Sequence, residues 1–432
     1  MNLLNGGGYV PPDTTVAAGS SFVVEGVNSL EGVYNTSGVV QAYLNPAACT
    51  TNPSGDSISD PRVLFDSASG RWFISTMTFS PIGDASWNLL FSPGNDPTSP
   101  TWYCLIIPTS TVKNPDGSTG NFPDFPKSGI NSDKVVLTGD AFSPVGHGPF
   151  SQGYKFQGTE YVVINKSELL SGTLGTQGVA LFAPNQGDFA IEPAQQLDST
   201  TENLFMAAVN SALSSTSSMD VWEISGVPDD SSNPLKTKVT SLPIDTISIP
   251  PNAQQQGTTV LIDTNDDSLL DAVFREGSPG SLWVSANDAC TPPGDSAVRS
   301  CLRFIEVSIG TSGTPNVAQD FDYADPGTYY YYPAVRTDAA GDLFAAFSGS
   351  SSSSYASAYA GSQLFGNSNV LTNFSLFRAG DSPYTVSPPR WGDYSGAGTD
   401  PSDTSVWLGA EYATQFPLFG SIWGTAIAQA QP

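Results

Sequence analysis

One unit recurs along the chain, and it constrains the fold more than any other feature. The unit is an apolar strand, a tight Asp/Asn/Gly turn, and a second strand with an aromatic residue near its start. Its clearest copies are PRVLFDSASGRWFISTMTF (61–79), LLDAVFREGSPGSLWVSAND (269–288), YPAVRTDAAGDLFAAFSGS (332–350) and WGDYSGAGTDPSDTSVWLGAEYA (391–413). Weaker copies cover 13–29, 125–142 and 191–210, so seven copies follow one another at intervals of about 50 to 80 residues. The strings WEIS (222–225) and IEVS (305–308) fall at equivalent places in consecutive units. Further strand candidates between the copies bring each unit to about four strands. Radial repetition of such units leaves only short, protected edges. The spacing therefore predicts an all-β, seven-bladed β-propeller with four antiparallel strands per blade, six or eight blades being the neighbouring counts, built as one domain over 1–432. The last unit has room for one strand too few, so the segment 1–12, around Tyr9 and Val10, is expected to complete the last blade.

Composition agrees with an all-β chain. Glycine and proline are abundant (42 and 34 residues), while Lys and Arg together number 15 against 41 Asp and Glu. The formal charge of −26 excludes nucleic acid as a partner, because no basic stripe is present to replace phosphate counterions. No apolar run reaches the roughly 18 residues of a membrane span. The start MNLLNGGGYV has neither the basic nor the apolar part of a leader, and is read as the start of a mature chain. Four cysteines allow three pairings. Cys290 and Cys301 flank a turn-rich loop, Cys49 and Cys104 lie near the ends of two successive units, and the expected bridges are 49–104 with 290–301. Two disulfides place the chain in an oxidising compartment, secreted or at the cell surface.

The segments PPDTTVAAGSSFVVEGVNS, SDPRVLFDSASGRWF, LLDAVFREGSPGSLW, YYYYPAVRTDAAGDL and PPRWGDYSGAGTDPSD resemble a group of secreted bacterial β-propeller proteins of sialidase-like appearance. That resemblance implies the propeller, and little about activity, since many such proteins have none assigned. The Ser-x-Asp-x-Gly-x-x-Trp box of sialidases is not matched cleanly. The nearest stretch, Asp66 to Trp72, falls in the first hairpin of its unit.

In a propeller the innermost strands line the central channel, and residues at their starts face the loops that bind ligands. Those residues here include Asp13, Asp60, Arg62, Asp124, Lys127, Asp271, Arg275, Tyr332, Arg336, Arg390 and Asp393. Converging carboxyls are what glycoside cleavage uses, and Asp60, Asp124 and Asp393 are the catalytic candidates. Arg62, Lys127, Arg275, Tyr332, Arg336 and Arg390 are the candidates for ligand binding, since guanidinium groups clamp carboxylate-bearing sugars and aromatic faces stack on sugar rings. The competing role for the same residues is bracing: Asp caps loop backbone, and Arg–Asp pairs tie one blade to the next. Asp263, Asn265, Asp267 and Asp271 alternate oxygen ligands as calcium loops do, without the glycine of the helix–loop–helix motif, so calcium is the expected cofactor if there is one. The single histidine, His147, cannot build a His-based metal site or support a serine triad.

Three roles remain open to such a chain. It could recognise an extracellular ligand, in the first place a glycan, on its loop face. It could be a carboxylate-dependent glycoside hydrolase, or a structural or adhesive surface module.

Overall fold

The structure, a computed structural model, describes all residues except 3–7, 29, 51–54, 80–84, 146–152, 198–201, 210–213, 311–313, 403 and 417–419. His147 lies outside the described residues. The described chain is almost wholly antiparallel strand, with one α-helix of six residues, Lys166–Ser171. None of its helices is long and apolar enough to cross a membrane.

The strands form an all-β propeller. The first strand of each unit touches that of the next: Thr15–Ala18 meets Ser57–Asp66, which meets Phe122–Ile130. Glu192–Pro193, Leu269–Arg275, Thr328–Thr337 and Gly396–Thr399 follow, and the last returns to Thr15–Ala18. The closing seam is tight because it is built on glycine. A Cβ at Gly396 would lie 2.3 Å from the Val16 nitrogen, and one at Gly398 would lie 2.8 Å from the Ala17 Cα.

Five sheets stand alone, four of them with four strands (residues 15–44, 57–108, 192–247 and 328–378) and one with three (396–430). The remaining strands form one nine-stranded sheet. The expected count of seven blades is thus corrected to five separate blades, while four antiparallel strands per blade holds for four of them. The two-residue strand Gln195–Gln196 pairs in parallel with Phe122–Ile130 on one side and with Leu269–Arg275 on the other. It welds the meanders over 122–185 and 269–323 into a single sheet, a junction that strand-by-strand reading cannot see. At the three-stranded sheet, Asn2 makes an antiparallel bridge to Gly424. The Trp423 indole donates to the Tyr9 carbonyl at 2.9 Å.

Apolar side chains alternate along the strands and pack between adjacent sheets, as sheet-on-sheet burial requires. Trp72, Ile74, Val24, Val33 and Val63 fill the space between the first two sheets. Val273, Phe304, Val335 and Phe347 fill a later one. WEIS and IEVS fall on the third strands of their units, Thr216–Ser225 and Arg299–Ile309, which accounts for their likeness.

Both disulfides pair as expected, Cys49 with Cys104 and Cys290 with Cys301. The first links positions 55 residues apart and the second positions 11 apart. Loop-closure entropy assigns them about 4 and about 3 kcal/mol respectively. Replacing Cys49 and Cys104 by alanine is therefore expected to lower the urea midpoint further than replacing Cys290 and Cys301, in otherwise identical unfolding titrations.

Candidate functional site

The innermost strands share a local device. Near the start of each of several, one non-glycine residue adopts a left-handed backbone: Asp13 (φ 56), Asp60 (φ 55), Phe125 (φ 51), Ala190 (φ 52) and Tyr332 (φ 57). Proline follows three of them, at 61, 126 and 333, and cannot donate to the ladder. The pairing slips at the same places, between Ser59 and Arg62 and between Tyr331 and Ala334. These are β-bulges, which bend a strand and re-aim its side chains. A left-handed non-glycine residue costs about 1–3 kcal/mol and persists where the surroundings over-determine it.

At one end of the ring the bulges and neighbouring loops enclose a pocket of about 360 Å³. The three catalytic candidates, Asp60, Asp124 and Asp393, all line it, together with Asp140 and Asp266. Half-buried phenylalanines at 79, 122, 125, 142 and 189 supply the apolar wall, and Arg390 is the one cation of the lining. Its guanidinium lies 2.5 Å from Asp393 and is 45% exposed.

Several of the carboxyls are held in place. The backbone N–H of Asp60 donates to the Asn28 side-chain oxygen at 2.7 Å, and the Ser59 hydroxyl donates to Asp60 at 2.5 Å. Asn28 also donates to Asp13, whose other oxygen accepts the Asp393 N–H at 3.0 Å. Asp140 accepts from the Thr159 hydroxyl (2.6 Å) and the Ala190 N–H (2.9 Å). Asn265 donates to Asp393 at 3.4 Å.

Crowding shows in the proton affinities. Burial, then the charge of Asp124, pushes Asp60 up to about 6. Asp124 rises to about 6 through burial and the charges of Asp140 and Asp393. Burial brings Asp140 to about 6 against the pull of its hydrogen bonds, and Asp393 to about 6 against Arg390. Asp13, buried beside Asp393 and Asp60, is held well above the usual carboxylate range. Burial opposes the charge of Arg390, but its carboxylate neighbours more than offset this, and it stays a cation. The pocket thus holds carboxyls that exchange protons a little below neutrality, where one can donate while its neighbour accepts.

Further along the innermost strands, the side chains turn into the channel and fill it. Lys127 lies 3.1 Å from Glu192 and donates to the carbonyls of Ala190 (3.0 Å) and Leu269 (2.6 Å). Arg62 stacks on the Tyr394 ring, 3.5 Å from its centre, and donates to the Leu270 carbonyl. Arg336 pairs with Asp271 at 2.6 Å and donates to Gln195 at 3.0 Å. The space left among Arg62, Glu192, Asp271 and Arg336 is about 20 Å³.

Of the six residues expected to bind ligand, Arg390 alone lines the acidic pocket. Arg62, Lys127 and Arg336 serve the channel plug. Tyr332 is buried, and its hydroxyl donates to the Asp263 carbonyl at 3.0 Å. Arg275 reaches the next innermost strand, donating to the Thr337 carbonyl at 3.1 Å. The four residues of the expected calcium loop do not come together either. Asp271 belongs to Arg336, Asn265 turns to Asp393, Asp263 caps the Asn265 N–H, and Asp267 is buried. Among the described residues, no group of three or more His, Cys, Asp or Glu could hold a metal ion.

Sequence reading missed Asp140 and Asp266. Asp140 lies on a second strand, Lys134–Pro144, beside a slip in pairing between Thr138 and Asp140, so a search confined to strand starts passes over it. Asp266 sat inside the run read as a calcium loop.

No family model matches the chain, and no curated protein does. Several solved structures are similar in backbone course. A Dyadobacter fermentans protein of unknown function is 11% identical over 86% of this chain and 94% of that one, at a TM-score of 0.39. A Hadza microbial sialidase is 11% identical over 96% and 74%, at 0.40. An endo-1,5-alpha-L-arabinanase from Thermotoga petrophila is 11% identical over 98% and 96%, at 0.32. At such identities and scores nothing about activity is carried over from them.

Proposed function

We propose that the protein recognises an extracellular glycan in the acidic pocket. One observation carries this reading: five carboxyl groups face a single 360 Å³ pocket walled by phenylalanines. Carboxyls poised near pH 6 both donate to and accept from hydroxyl groups, and aromatic walls suit the C–H faces of sugar rings. The two disulfides fit an oxidising, extracellular setting.

A second reading, glycoside hydrolysis, is favoured by the same proton affinities. The charge of Asp124 raises Asp60, and both carboxyls exchange protons near pH 6, so one pocket offers a protonated and an ionised carboxyl together, as acid–base cleavage requires.

Binding to a glycan array, beside sugar-release assays on the same polysaccharides, separates the two. Asp393→Asn and Asp60→Asn are each expected to weaken binding at least about tenfold, the effect of losing a charge-assisted hydrogen bond in a desolvated site, with the melting curve retained. Release of sugar that disappears in the same variants assigns hydrolysis. Binding without release assigns recognition. Folded protein silent in both assays overturns the glycan reading and leaves the structural role.

A further inference from the structure

A second cavity lies away from the acidic pocket, between the outer strands of the first two sheets. It measures about 520 Å³ and is walled by the strand Val40–Leu44, the 3₁₀ turn Pro46–Ala48, the segment 98–104 and the Cys49–Cys104 bridge. Tyr43 and Tyr103 are about half exposed (50% and 48%), and Trp102 is partly exposed beside them. The Trp102 N–H is already committed to the Pro97 carbonyl at 3.3 Å, which leaves its ring faces for contact.

The floor of this aromatic cleft holds Glu31. It lies on the strand Leu30–Asn35, on the same face as Val33, which packs toward the second sheet. Its side chain is fully buried, and neither carboxyl oxygen has a hydrogen-bond partner among the described residues. Burying a carboxyl with both oxygens unpartnered is unfavourable, and among the described residues only Glu31 has both its carboxyl oxygens buried without a partner.

Among the described residues no Lys or Arg lines the cleft, and Tyr43 and Tyr103 are the other titratable residues there. Glu25, on the neighbouring strand, turns to the opposite face, where the Tyr34 hydroxyl donates to it at 3.0 Å. An unopposed acid beneath aromatic faces is the arrangement that recognises an organic cation, because ring quadrupoles and the carboxylate attract the same charge. A neutral apolar guest would fill the cleft and leave the acid unanswered.

We propose that this cleft binds the alkylammonium head of a small organic cation, seated between Tyr43, Trp102 and Tyr103 above the Glu31 carboxylate. In the empty cleft burial holds the Glu31 carboxyl well above the usual carboxylate range. Seating a cation favours the ionised form, and a proton displaced from it passes to the buffer.

Calorimetry with choline, and with its uncharged isostere 3,3-dimethylbutan-1-ol, tests this on the whole chain at pH 7. Choline is expected to bind at least about tenfold tighter than the alcohol, as desolvated cation–π contact plus an ion pair implies. Its heat is expected to vary with buffer ionisation in the sense of proton release. Glu31→Gln, nearly isosteric with the protonated acid, should abolish both the preference and the proton release. Tyr103→Ala, at an exposed position, should weaken choline about threefold and keep the proton release. Equal affinity for the two probes overturns the proposal. So does the absence of saturable choline binding at millimolar concentration, or choline binding unchanged in Glu31→Gln.

Discussion

Raising the pH from about 4.5 to 8 is expected to lower the melting temperature by about 5 °C, the reverse of ordinary acid denaturation. The sign follows from the buried acids. Asp60, Asp124, Asp140 and Asp393 titrate at about 6 in the folded chain. Asp322 is raised to about 7, mainly by burial, and Glu160 to about 8 for the same reason. In the unfolded chain such groups titrate near 4. Between about 4 and 8 the folded state therefore holds more protons than the unfolded one, and the free energy of unfolding falls as pH rises. The stabilisation is complete below about 4 and is lost as pH passes through 6 to 8. One such shift of two units is worth at most about 2.7 kcal/mol, and neighbours in one cluster do not add in full. A total of about 3–6 kcal/mol over the window is consistent with the shift in melting temperature for a chain of this length. Asp116 and Asp295, lowered by hydrogen bonds with Lys155 and Arg299, act the other way and only below about 4. Melting curves at half-unit steps of pH test this, and Glu160→Gln should remove the upper limb of the slope. A melting temperature that climbs from pH 5 to 8 would mean the cluster is stabilised as anions, and would undo the electrostatic account of the pocket.

Much of this was legible in the sequence, for identifiable reasons. The repeat is written in short-range chemistry, an alternating strand, a turn of Asp, Gly or Asn and another strand, so the all-β propeller could be read from it. Both disulfide pairings followed from where the cysteines fall in the units. The acidic pocket was partly legible because Asp60, Asp124 and Asp393 all stand at the entries of innermost strands. What could not be read is side-chain direction at the bulges. A strand alternates faces regularly, but Asp60-Pro61-Arg62 passes through a left-handed residue that breaks the alternation. Asp60 then faces the pocket while Arg62 fills the channel. The nine-stranded sheet was hidden for a related reason, since two residues, Gln195 and Gln196, carry a parallel connection too short to leave a pattern. Glu31 was invisible in the sequence because its interest lies in what does not touch it.

The channel plug gives the largest effect of a single substitution. Arg336→Met is expected to destabilise the protein by about 3–5 kcal/mol, the usual consequence of removing one partner from a buried ion pair. Arg336 is 5% exposed, its guanidinium lies 2.6 Å from Asp271, and a second bond runs to Gln195 on the strand that joins two meanders. Without the arginine, Asp271 keeps the Val335 N–H at 2.9 Å but loses its counter-charge in a site with about 20 Å³ of free space. The double variant Arg336→Met with Asp271→Asn should regain a good part of the loss, because no charge is then left buried and unpaired. Denaturant unfolding of the wild type, both single variants and the double closes the cycle. The same proteins, measured below their transitions, should keep wild-type glycan affinity, since neither residue lines the acidic pocket. Loss of binding in Arg336→Met with little loss of stability would return Arg336 to the ligand-binding role its position in the sequence first suggested, and would place the binding surface inside the channel.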